Sequence, residues 1–319
     1  MKENNNNERI DILKKHIKDK YDIELYEVNL LGRKSYIIND SENNYFLKEA
    51  NFNTLEKFQF LYNQGVNNIL YPIFNKEKLF VSKIEDKNVY LNHYLDNKII
   101  LEEYRVKNMY EELNYLHQQT TFKKQLNPNK SRGRFDELSN QLDYKFKVIE
   151  EYIRSLESKK LSPSMMPILG NYQYVLDAKK ELIRLQKRII SAVKAKESIN
   201  YSFIHNNPTI DHLLNNEGRM YLTSIDKGKI GISSLDMAKF YVENEYLDVD
   251  FKSLISEYSL KYNNPFYYDY FRFLVLVIYV KKIKINKELL INVNTFLTVS
   301  SSIKKYFSNF TDLEYEETE

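Results

Sequence analysis

The sequence predicts a two-lobed α+β fold: a small antiparallel β lobe with one helix over residues 1–96, then a large helical lobe over 97–319. Three observations carry this expectation. Short apolar runs, separated by Asn, Asp and Ser, fill most of the first 95 positions. From Leu101 onward the apolar residues recur at helical spacing over stretches too long for strands. Between 202 and 226, a short β-like interruption is embedded in the helical sequence.

The elements follow in order. Ile10, Leu13 and Ile17 fall on one face of an amphipathic helix over 8–20. LYEVNLL, KSYIIND and NYFLKEA read as strands, with Asp40, Ser41, Asn43 and Asn44 as turn formers. Thr54 is the expected N-cap of a helix over LEKFQFLYNQ, which ends at Gly65 as its C′ residue. ILYPIF, LFVSKIE and NVYLNHYL are expected as three further strands. Helical patterns then cover 101–120, 135–156 and 172–193, and Ser162, Pro163, Ser164 and Pro167 break the chain between the last two. Helices return from Leu235, and the acidic tail TDLEYEETE is expected to fray.

Composition excludes several classes of function. Only 7 of 319 residues are Gly, about 2% against a usual share of roughly 7%. Neither G-x-G-x-x-G nor G-x-x-x-x-G-K-[ST] occurs, which removes the standard dinucleotide and P-loop sites. With no Cys, there are no disulfides, thiolate metal sites or Cys nucleophiles. No G-x-S-x-G supports a Ser hydrolase, and no His pair has zinc-helix spacing. A net charge of +3, without a basic block, argues against nucleic acid or an anionic membrane as partner. The longest apolar run, FLVLVIYV, has 8 residues where a membrane span needs about 20. MKENNNNER lacks the apolar core of a signal peptide, so a cytoplasmic location is expected.

The most informative stretch is FIHNNPTIDHLLNNEGRMYLTSID over 203–226. It places a His before two polar residues, a further polar residue before Leu-Leu, a short hairpin, and Asp226 at the end of an apolar strand. This segment resembles the catalytic segment of the aminoglycoside/choline kinase-like phosphotransferases, H-G-D-x-x-x-x-N followed by two apolar residues and a later Asp. Within that superfamily the layout is most similar to bacterial spore-coat kinase-like proteins. That similarity draws on Leu113, Leu116 and His117, on NYQYVLDAKKELIRLQKRI, and on the Leu235-Asp236-Met237-Ala238 run, and spans about residues 20–300.

The resemblance implies a bilobal protein-kinase-like fold and ATP with Mg²⁺ as the cofactor. Carried over residue by residue, it puts Lys48 on the third strand as the phosphate-binding Lys and Glu56 of the next helix as its carboxylate partner. Read without it, Lys48 is a solvated strand Lys. Arg33 and Lys34 of NLLGRKSY would contact phosphate by side chain, or be solvated turn residues. His93 falls near the expected hinge and lines the cleft. Asp226 matches the metal-binding Asp, with Lys227 beside it, and Asp236 a structural Asp.

Three positions depart from the pattern. Asn206 stands for Gly, Asn207 for the catalytic Asp, and His212 for the metal-binding Asn. Asn keeps the size of Asp but takes no proton at neutral pH. Imidazole is a poor ligand for Mg²⁺, which prefers oxygen. A degenerate, pseudokinase-type protein is therefore expected, one that binds a nucleotide or a protein partner in a coat or scaffold. The alternatives are an active small-molecule phosphotransferase with Asp211 as a substitute base, and a structural coat protein with an empty cleft.

Overall fold

The computed structural model describes residues 2–32, 34–95, 97, 100–125, 128–195, 198–262 and 265–310. Arg33 and the acidic tail, 311–319, lie outside the described residues. In chain order the elements begin α1 (Lys2–Tyr21), β1 (Glu27–Gly32), β2 (Ser35–Asn39), β3 (Asn44–Ala50), α2 (Thr54–Asn63), β4 (Ser82–Ile84), β5 (Lys87–His93) and α3 (Glu102–Gln119). They continue β6 (Phe122–Gln125), α4 (Pro128–Glu157), α5 (Met166–Lys194), β7 (Ser198–Ile204), β8 (Leu213–Asn216), β9 (Arg219–Leu222) and β10 (Lys229–Gly231). Four helices complete them: α6 (Ser234–Asn244), α7 (Phe251–Tyr262), α8 (Pro265–Lys282) and α9 (Leu289–Phe310). The chain divides into two compact units, Met1–Thr120 with Phe203–Ile230, and Thr121–Ser202 with Gly231–Glu319.

The first unit is built on a five-stranded sheet of order β1-β2-β3-β5-β4, with every pair antiparallel. One face buries Ile38, Leu47 and Leu91 against Leu13 and Ile17 of α1, the side predicted by the helical spacing. Side chains alternate faces along a strand. On β3, Tyr45 and Leu47 therefore enter this core while Phe46 and Lys48 point to the opposite side. Helix α2 starts at Thr54 with Asn53 as its cap, one residue before the expected N-cap, and Thr54 is itself buried. Its end agrees with the sequence: Gly65 has φ +68°, and its N–H bonds to the Tyr62 carbonyl.

ILYPIF is a correction, because it forms no strand. Only Ile69 makes a bridge, parallel to Leu222. Pro72 has no N–H for a ladder, and the bonds on either side of it go to different partners, Leu70 N–H to Leu222 and Ile73 N–H to Leu91. LFVSKIE shortens to β4. Strand β6 was not expected: its exposed sequence FKKQ has no apolar alternation, and it is ordered by pairing with β7 from Phe122–Tyr201 to Gln125–Ser198.

The second unit is mainly helical. FLVLVIYV lies in α8, where Phe273, Val275, Leu276, Val277, Tyr279 and Val280 are all buried, as expected of a helix apolar all round inside a protein core. Arg272 on the same helix is buried too, bonded to Glu181 Oε1 at 2.7 Å and to the Tyr306 hydroxyl at 3.2 Å. Among the described residues, no helix is long and apolar enough to cross a membrane.

Candidate functional site

All the geometry below lies within the first unit. Lys48 donates from Nζ to Asp226 Oδ1 at 2.8 Å and to Ser224 Oγ at 3.3 Å. Asp226 is not at a strand end, as its motif suggested. It sits four residues past β9 in a single 3-10 turn, Ile225–Lys227. Ser224 enters that turn with φ +57°, a conformation that costs a non-Gly residue energy and fixes where the next carboxylate points. Asp226 is buried, and its backbone carbonyl accepts from Lys57 Nζ at 2.6 Å and from Asn51 Nδ2 at 3.3 Å.

The pairing of Lys48 with Glu56 does not form. Helix α2 turns Thr54, Phe58 and Leu61 inward. Positions i, i+3, i+4 and i+7 share one helix face. Lys57 therefore joins the inward side, and Glu56 is exposed in the first turn. The sequence carries a signal for Lys57: in a helix that starts at Thr54, position 57 shares the face of Thr54, Phe58 and Leu61. Burial pulls the Lys57 ammonium below its ordinary range, against the opposing charges of Asp226 and Glu56.

The 203–226 segment is held together by its two histidines. His205 is fully buried and donates from Nε2 to the Thr223 carbonyl at 2.7 Å. That leaves Nδ1 as the acceptor for the Asn207 N–H, at 3.4 Å. His212 donates from Nδ1 to the Asn207 carbonyl at 2.9 Å, because a carbonyl only accepts, and its Nε2 then carries the lone pair. The two rings stack with centroids 5.3 Å apart. Burial, and next His205, pull the His212 imidazole down to about 4, and Lys48 and Lys227 act in the same direction. His212 is therefore neutral at pH 7.

Asn206 has φ +65°. Gly is the expected residue there because it enters the left-handed region freely, and Asn is among the few others that do so readily. Asn206 is thus suited to this backbone path. The Asn207 side-chain amide makes no hydrogen bond among the described residues.

Beside this cluster lies a cavity of about 300 Å³. Its walls are mostly apolar, with Leu31, Phe46, Leu70, Leu95, Leu214 and Ile225. His93, Asp211, His212 and Ser224 supply polar edges. The size and lining suit a flat heterocycle with a few convergent polar groups. His93 lines this cavity, with its ring 5.6 Å from that of Tyr45. Asp211 lines it too, but its carboxylate is exposed and lies 3.4 Å from Arg105. Lys34 is exposed, and its side chain joins none of these contacts among the described residues. The structure joins Lys48 to Asp226 and Ser224, and Asn207 to the ring of His212, and His212 and Ser224 both line the cavity.

The donor set does not fit a divalent cation well. Among the described residues Asp226 is the carboxylate paired with Lys48, so it is already engaged. Among the described residues no group of three or more His, Asp or Glu could hold a metal ion. Mg²⁺ asks for hard oxygen ligands in octahedral order, and His212 offers nitrogen.

No family model matches the chain, and no curated protein does. Solved structures match over nearly its whole length. An aminoglycoside phosphotransferase from Alicyclobacillus acidocaldarius subsp. acidocaldarius DSM 446 is 10% identical, covers 90% of this chain and 92% of its own, and has a TM-score of 0.57. A spectinomycin phosphotransferase in its AMP-bound complex is 12% identical, covering 93% and 98%, with a TM-score of 0.52. A microcompartment-associated aminopropanol kinase is 11% identical, covering 94% and 98%, with a TM-score of 0.51. The chain therefore has the α+β kinase-like fold of these phosphotransferases.

Proposed function

We propose that this protein is a nucleotide-binding member of the kinase-like fold that has lost efficient phosphoryl transfer, a pseudokinase. The observation that carries this reading is Asn207. It stands at the position of the proton-accepting Asp, in a segment whose His205 and Asp226 otherwise keep the layout of a phosphotransferase site. A group that orients the acceptor hydroxyl and takes its proton is needed for transfer. Asn207 can orient a hydroxyl through its amide but cannot take the proton. The apolar cavity beside Ser224 and His212 supports retention of a nucleobase, and a fold neighbour was solved with AMP bound. The resemblance to spore-coat kinase-like proteins adds a role beside protein partners in a coat or related assembly.

An active phosphotransferase is the second reading, favoured by one observation: Asp211 lines the same cavity and could take the place of the lost base. One experiment separates the two. The purified chain is titrated with ATP by calorimetry, then incubated with γ-labelled ATP, Mg²⁺ and a panel of amino alcohols and aminoglycosides. Saturable binding without transfer is expected. Steady transfer that is lost in Asp211→Ala or Asn207→Ala would overturn the pseudokinase reading. Absence of nucleotide binding would leave a structural coat protein.

A further inference from the structure

We propose that Lys57, together with Lys48, contacts the phosphates of the bound nucleotide directly, so that nucleotide binding by this protein requires no divalent cation. This inference rests on the nucleotide-binding reading above. In a kinase-like site, metal ions bridge the phosphate oxygens and neutralise their charge. Here the positions around Asp226 are already cationic. Lys48 is on its carboxylate, Lys57 is on its backbone carbonyl, and Lys227 is the next residue in the chain. Among the described residues, two ammonium groups meet one buried carboxylate here, with exposed Lys227 next to it in the chain. A divalent cation entering there would meet repulsion from Lys48 and Lys57 and would have to displace Lys48 from the Asp226 carboxylate.

The geometry leaves donors available. An ammonium has three N–H donors. Lys57 uses one, on the Asp226 carbonyl, and Lys48 uses two, on Asp226 and Ser224. Lys57 is only partly buried, so its remaining N–H groups can reach an incoming anion. The placement is fixed by the helix face that buries Thr54, Phe58 and Leu61, and not by the chance reach of a surface side chain.

The test uses the full chain and calorimetry with ATP and with adenosine, each in excess EDTA and in excess Mg²⁺. ATP is expected to bind in EDTA within about 3-fold of its affinity in Mg²⁺, and at least about 10-fold more tightly than adenosine. Lys57→Gln should weaken ATP about 10-fold in EDTA and leave adenosine unchanged, which also reports that the variant is folded. Lys57→Arg should retain most of the affinity. ATP binding that appears only with Mg²⁺, or that is equal in wild type and Lys57→Gln, overturns the inference and leaves nucleotide binding standing. Failure of both ATP and adenosine to bind in either buffer removes the nucleotide reading itself, and the inference with it.

Discussion

Lys48 and Asp226, 178 positions apart in the sequence, form an ion pair at 2.8 Å that ties β3 to the turn after the β8–β9 hairpin. Both side chains are largely removed from water, at 20% and 9% exposure, so neither charge is well solvated without the other. Lys48→Met should therefore lower stability by about 2 kcal/mol, at the lower edge of buried-pair losses because Lys48 keeps some solvent. Adding Asp226→Asn should recover at least half of that loss. Urea midpoints of the two single variants and the double variant measure the coupling. Additive losses would show that the pair contributes nothing.

The depressed His212 imidazole makes an acid limb. Its folded pKa of about 4 lies below the ordinary value of 6.5, so the unfolded chain binds the proton first. Stability is unaffected above the unfolded value, falls as pH drops from about 6.5 to about 4, and levels below that. The loss should be roughly 3 kcal/mol. Burial also lowers His16, which acts in the same sense. The difference between wild type and His212→Gln isolates the His212 part, and thermal midpoints from pH 4 to 7.5 should run flatter in the variant. Parallel curves would refute this.

Gly228 closes the turn that carries Asp226. A Cβ built there would lie 2.3 Å from Phe203 Cζ and 3.0 Å from the Ile225 carbonyl. The Phe203 ring is buried and stacks on Phe60 with centroids 6.1 Å apart, so it has little room to withdraw. Gly228→Ala should cost about 1–3 kcal/mol by overpacking. Phe203→Leu should offset part of that loss when combined with it. Guanidinium unfolding of both variants and the combination decides the point, and an unchanged midpoint in Gly228→Ala would contradict the close approach.

In the helical unit, Arg272 and Glu181 are only 3% and 9% exposed. Truncating one partner should be worse than removing both. Arg272→Met should cost about 2–3 kcal/mol, because Glu181 keeps its bonds from Arg184 at 2.8 and 3.0 Å, and Arg272→Met with Glu181→Met should recover part of it. Differential scanning calorimetry reads the order of the three midpoints.

Much of this was legible from sequence, for reasons that differ by element. Strands β1, β2, β3 and β5, helix α2 with its Gly65 end, and the hairpin of the 203–226 segment announce themselves because local spacing and turn chemistry act over a few residues. ILYPIF misled because its apolar run satisfies a strand pattern while Pro72 breaks the ladder. Strand β6 was invisible because FKKQ is ordered only by its partner β7.

The sequence by itself determined which residue types were available: an amide at Asn207, an imidazole at His212, and a carboxylate at Asp226. These follow from covalent chemistry, which folding does not change. Only the tertiary structure decided who pairs with whom. It gave Lys48 to Asp226 and left Glu56 in solvent, turned Lys57 inward, and froze the His205 and His212 tautomers through the carbonyls of Thr223 and Asn207. The reason is that helix register, positive-φ turns and long-range burial fix side-chain directions that no local pattern encodes. A one-position rotation of α2 would have put a carboxylate where a lysine now lies.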